Sequence, residues 1–348
     1  MDLDVLSTLT PVVQTNCHIA DASHAGDYTL CTYLLKMREY YRWEQGLPFD
    51  ARLPNEAVGN WLLAREAAWD ELREQDYQPL VIDGRTYEPF DSAAINAALD
   101  AHGLVYSGGL GTGCRPHFFL ARRLRREDHP EYRILVSGRE YARDMAAPPA
   151  MSQGNTIFIR RESLRRMLWE RVEEWGWRKQ EGAMSRALNY YDFQNGVDRA
   201  LDAMTDNEIE AVILHEIGEV RAGQVLGEEW HDMLAALPSS AAELMARAVR
   251  DHLADCLSTL PALIESPTPA CLHFYIGNLG SMRKELFPGL NRAYQDWIEQ
   301  NTLAPLHDIT GRGSQHWQHV AERMLELYRS HGDSCRQQIE ELVQSNRL

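Results

Sequence analysis

Helical periodicity fails in the middle of this chain, and that failure limits the folds open to it. Four short runs, "LVYSGG" (104–109), "PHFFLARRL" (116–124), "YRILVSG" (132–138) and "NTIFIRR" (155–161), are β-branched or aromatic and bounded by Gly, Pro and Asn. Such runs predict strands. On either side, apolar residues recur at helical spacing. Residues 27–46 stop at Gly46 before Pro48, 54–75 begin on Pro54, and 91–103 run from an Asp91 cap to Gly103. Helices return at 162–177, 184–203, 205–225, 228–237, 239–260, 284–300, 313–330 and 332–345. No strand–helix–strand alternation argues for a doubly wound sheet. The expectation is an α+β fold, predominantly helical, with a small mixed or antiparallel sheet near 104–161. Its regions are a helical stretch 1–103, a core 104–265 and a helical stretch 266–348, or all three in one compact domain.

Composition narrows the function. Apolar residues make up 44% and charged residues 25%, the profile of a globular protein. No run of 18 apolar residues exists to span a membrane. The acidic start "MDLDVLSTLTPVVQ" lacks the basic region of a signal peptide. Six cysteines (17, 31, 114, 256, 271, 335) lie far apart without CxxC pairing, so a reducing cytoplasmic setting is expected. Net charge is −16, which argues against a nucleic-acid binder. The basic runs 121–128 and 159–166 read as a solvated strand end and helix face. "SGGLGTG" (107–113) leads into a strand and not a helix, so it reads as a hairpin loop and not a phosphate cradle.

One helix carries chemistry. In "AVILHEIGEV" (211–220), Ile209, Val212, Ile213, Ile217 and Val220 form one apolar arc. Thr205 is the expected N-cap, with Glu208 its capping-box partner. His215 and Glu219, four apart, lie one above the other at the edge of that arc. Glu216 falls within it, where a carboxylate is costly unless paired or protonated. Two ligands one turn apart present their heads to one ion. A carboxylate between them can act as general base toward activated water.

"ELMARAVRDHLADCLSTL" (243–260) is a second amphipathic helix, facing the core with Met245, Val249, Leu253, Cys256, Leu257 and Leu260. Ala248, Asp251, His252 and Asp255 form an adjoining stripe. The small Ala248 would admit a neighbouring helix. Asp251 or His252 can supply a further ligand and Asp255 can orient one. Near the start, His18, Asp21, His24 and Asp27 crowd into ten residues. Either Asp caps a helix start there, or His24 adds a ligand and Tyr28 polarises a carbonyl.

On these residues the sequence resembles the zincin metallopeptidases, specifically gluzincins of the membrane heat-shock-protease and CAAX-prenyl-protease group. "GNTIFIRRESL" (154–164) is similar to that family's peptide-binding edge strand. "TDNEIEAVILHEIGEV" (205–220) resembles its active-site helix, and "RDHLADC" (250–256) its E-x-x-x-D segment. The chain departs from the family at Glu219, where the second zinc-binding His stands, and at Asp251, where the ligand Glu stands. Asp255 matches. The resemblance covers roughly 130–260; the whole chain also looks like an uncharacterised family of bacterial proteins.

It implies one divalent metal, zinc foremost and iron or manganese otherwise, held by His215, Glu219 and His252 or Asp251. Glu216 would be the base of a peptidase- or amidase-like hydrolase acting on a peptide or small molecule. Two other readings stand beside it. One is a di-iron or di-manganese oxidase sharing two ions among Glu210, His215, Glu216, Glu219, Asp251, His252 and Asp255. The other is a catalytically inactive scaffold that binds a protein partner.

Overall fold

Alternation along residues 117–121 builds the first core. Phe118 and Leu120 turn to one sheet face, beside Leu104, Tyr106 and Ala142, and Phe119 and Ala121 turn to the other, with Val105, Leu135 and Phe158. The computed structural model describes residues 3–111, 115–178, 181–238 and 240–348. It divides into two compact units, Met1–Arg171 with Phe193–Thr205, and Val172–Asp192 with Asp206–Leu348. The divisions expected at 103 and 265 are not unit boundaries. The fold class is the one expected, α+β and predominantly helical with a small mixed sheet.

The first unit holds the seven strands found among the described residues. β1 (Leu80–Ile82) and β2 (Arg85–Tyr87) form a separate antiparallel pair. Asp83 and Gly84 turn it, both at positive φ (50° and 76°), the geometry Asp-Gly favours in tight hairpins. The main sheet contains β3 (Leu104–Leu110), β4 (Pro116–Asp128), β5 (Arg133–Arg143), β6 (Ala150–Gln153) and β7 (Thr156–Arg160). Its order is β3-β4-β5-β7-β6, with β5 and β7 parallel and the other pairs antiparallel. Of the hairpin loop expected at 107–113, Ser107–Leu110 instead continue β3, and Thr112 and Gly113 lie outside the described residues, as does Cys114.

Leu9, Val13, Cys17 and Ala20 of the helix Leu3–His24 cover one sheet face. The expectation of a helix start near His24 is corrected, since His24 ends a helix. The next helix, Leu30–Glu44, is capped by Thr29, whose side chain accepts from the Thr32 amide. At the other face a buried ion pair ties β5 to β7. Arg160 Nε and Nη2 donate to the two carboxylate oxygens of Glu140 at 2.8 and 2.9 Å, and Ser163 adds a third bond at 2.8 Å.

Every regular element described in the second unit is a helix. Its core joins Trp230, Val249, Leu253, Leu290, Tyr294 and Trp317. Trp177 is 75% exposed. No helix among the described residues is long and apolar enough to cross a membrane.

The helix carrying the sequence signature runs Val197–Leu226, so it starts well before a Thr205 cap would allow. Thr205 sits inside it and satisfies its own hydroxyl by donating to the Leu201 carbonyl at 2.6 Å. Glu208 is therefore no capping partner. It is buried, and burial pushes its carboxyl up to about 8, with a bond to Cys271 opposing. The folded chain keeps a proton that the unfolded chain, near 4.5, releases. Stability from this group is present below the unfolded value and is lost as pH rises through the folded one. Melting temperature measured between about pH 5 and 8.5 should fall more steeply in wild type than in Glu208→Gln, with the variant gaining at the alkaline end. Parallel curves would contradict this.

Candidate metal centre

Two helices of the second unit touch at a glycine. A Cβ at Gly218 would stand 2.3 Å from the Ala254 carbonyl oxygen, so only a residue without one permits this approach. This close contact lies one residue before Glu219. It brings the Val197–Leu226 helix against the end of Ala241–Ala254. There the backbone widens into a π turn over Asp255–Thr259. Pro261 explains the widening: it lacks an N–H, and its ring would crowd the carbonyl four residues back, at Leu257. Arg221 Nη1 reaches that carbonyl at 3.4 Å.

Asp255 lies at the start of the π turn with no exposed surface. Its Oδ1 is 2.7 Å from His215 Nδ1. Its Oδ2 accepts from the Tyr275 hydroxyl at 2.7 Å and from Arg283 Nη2. Burial opposes its charge, but Arg283 and His215 outweigh it and hold the carboxyl well below the usual carboxylate range. Burial likewise opposes a charged His215, yet Asp255 and Glu219 hold its proton well above the ordinary histidine value.

His215 Nε2 is 3.5 Å from Glu219 Oε1. Arg250 Nη2 donates to the other Glu219 oxygen at 3.1 Å. Glu219 is shifted down, His215 and Arg250 prevailing over burial, whereas burial shifts Asp251 up. One potential ligand atom from each of His215, Glu219 and Asp251 lies within 4.8 Å of the other two. All three side chains are half-buried.

The structure therefore joins His215, Glu219 and Asp251 and puts Asp255 behind His215. His252 is not in the group, and its expected role as a ligand is corrected. One residue on from Asp251, it turns about 100° away around the helix. Its ring stacks on Trp317, 5.0 Å between centres, and Nε2 bonds the Arg283 carbonyl at 3.1 Å. Burial drives its proton affinity down to about 3. Glu216 is buried, 8% exposed. Glu210 is exposed and His252 lies in the core, so the seven-residue set for two ions is not assembled. His24 and Tyr28 belong to the first unit and are not in the group. His24 Nδ1 pairs with Asp27 at 3.2 Å, and Arg115 stacks over the Tyr28 ring at 5.1 Å. The expected edge strand is corrected too: β7 pairs with β5 on one side and β6 on the other, leaving no free edge for a peptide.

Tyr275 and Arg283 escaped sequence reasoning. They come from the helices Ala270–Asn278 and Ser281–Leu286, 20 and 28 residues beyond Asp255, and no spacing links them to it.

The fold and site describe an α+β protein whose helical unit gathers one imidazole and carboxylates around a buried aspartate. Residues 165–346 match the model of the "Family of unknown function (DUF6866) C-terminal domain", and residues 8–160 match that of its N-terminal domain. The chain belongs to this family. No curated protein and no solved structure matches it.

Gly218→Ala should cost about 1–3 kcal/mol in urea unfolding, because backbone must move to admit the methyl. Gly223 provides the contrast, with nothing within 4 Å of the place a methyl would take. Gly223→Ala should be neutral or stabilise by up to about 1 kcal/mol. Equal effects at the two positions would contradict the close contact.

Proposed function

We propose that this protein binds one divalent metal ion through His215 Nε2, Glu219 and Asp251 and acts as a metal-dependent hydrolase. The observation that carries the reading is the convergence of those three side chains within 4.8 Å. The donor set fits such an ion. Asp255 occupies Nδ1 of His215 and leaves Nε2 toward Glu219, the arrangement in which a carboxylate fixes a ligating imidazole. One imidazole and two carboxylates suit zinc, and iron(II) or manganese as well. When bound, the ion supplies Lewis acidity and makes a coordinated water acidic enough to attack a carbonyl at neutral pH.

The chain's own groups have separate tasks. Arg250 holds one oxygen of Glu219 and orients the other. Tyr275 and Arg283 keep Asp255 ionised, so that it holds the His215 ring in place. Glu216, buried and next to His215, is the carboxylate we assign as proton acceptor. Its substrate would be an amide or ester.

A second reading has its own support. Arg250 on Glu219, Arg283 on Asp255 and a protonated His215 already balance the acidic groups without an ion. That closed network suits an inactive scaffold that binds a partner.

Elemental analysis of tag-free protein soaked in zinc and then dialysed separates the two. The proposal expects about one equivalent in wild type, none in His215→Ala, and retained metal without ester hydrolysis in Glu216→Gln. No retained metal in wild type would favour the closed network.

A further inference from the structure

Four arginines of the first unit, Arg42, Arg143, Arg165 and Arg166, line a cavity of about 300 Å³. Three have partners. Arg42 Nε donates to Glu39 at 3.1 Å and Nη1 to the Pro48 carbonyl at 2.6 Å. Arg165 meets Asp198 at 2.8 Å and Asp202 at 2.9 Å. Arg166 meets Glu170 at 2.6 Å and the Ala147 carbonyl at 2.8 Å.

Arg143 has none of this. It is 2% exposed, and its Nε is sealed without a partner. Among the described residues its guanidinium makes no hydrogen bond and no ion pair. The carboxylates whose fields reach it are committed elsewhere: Glu140 to Arg160 through both oxygens, Asp21 to the Met145 amide through both oxygens, and Glu162 to the Glu140 amide. Two rings face the cation instead, Trp43 at 4.9 Å and Tyr40 at 5.6 Å from their centres. Cation–π attraction is weaker than the cost of burying an unpaired guanidinium. Arginine cannot escape that cost by losing its proton. An acceptor is missing.

We propose that this cavity binds a small anionic molecule, with the guanidinium of Arg143 grasping its carboxylate or phosphate group. The remaining lining sets its class. Glu39, Glu162 and Asp198 line the cavity with the four arginines, and Asp202 and Glu170 pair with Arg165 and Arg166; Arg143 alone is left to take a charge, which suits one anionic head group and not a polyanion. Trp43 and Phe49 supply an apolar wall for the body of the ligand. The volume suits a small molecule. An open trough of about 1400 Å³ shares Trp43, Gly46, Glu162 and Arg165 with the cavity and gives a way in. This site is independent of the proposed metal centre.

Calorimetric titration of the full chain with inorganic phosphate and, separately, with benzoate at matched ionic strength tests it. One saturable site for at least one anion is expected, with phosphate or benzoate alone identifying the headgroup. Arg143→Gln should weaken binding about tenfold or more. Arg292→Gln, at an exposed position of the other unit, should leave it unchanged. If Arg143→Gln does not fold, Arg143→Lys keeps the charge without the fork and should bind several-fold more weakly. Independently of any variant, a selenate-soaked crystal should show an anomalous peak beside the Arg143 guanidinium. No saturable binding of either anion, binding unchanged by the Arg143 substitutions, or selenate only elsewhere would overturn the proposal.

Discussion

A carboxylate cannot be removed from water alone, and Asp255 has no exposed surface. Its charge persists because an imidazole, a phenol and a guanidinium converge on it from three other helices. That convergence ties together the elements bearing His215, Tyr275 and Arg283. It also fixes the ring orientation on which any metal chemistry here depends. The π turn sets Asp255 in place and Gly218 lets the His215 helix come close enough to meet it. Substituting Asp255 would strand the half-buried Arg283 cation as well as free the ring.

Much of this is legible in the sequence, because it follows from local periodicity. His215 and Glu219 share a helix edge at i and i+4, and Asp251 and Asp255 share another, so both halves of the group can be read from single helices. The strand runs of the middle region show a clean change of period. Asp91 and Gly103 mark their helix and its end as such residues should.

What is not legible fails for physical reasons. Thr205 resembles a cap, yet inside a helix its hydroxyl can bond the preceding turn, so a boundary placed there starts the helix too late. His252 belongs with its neighbours by composition, whereas its angle around the helix sends it to Trp317. The helix Leu3–His24 is hidden by Pro11 and by threonines that bond back to the preceding turn, as Thr8 and Thr15 do. The Asp83-Gly84 turn does carry a signal, but flanking strands of three residues are too short for alternation to show. Tyr275, Arg283 and the lone cation Arg143 depend on tertiary placement, which no local pattern encodes.

Central to the proposed function is that His215, Glu219 and Asp251 form a single metal site with Asp255 behind the imidazole. Anomalous diffraction at the zinc edge, from crystals grown with zinc, tests it most directly. One peak is expected, bonded to His215 Nε2 and to oxygens of Glu219 and Asp251, with the Asp255 contact to Nδ1 intact. A zinc peak elsewhere, or none there with the Arg250 to Glu219 bond unbroken, would contradict it.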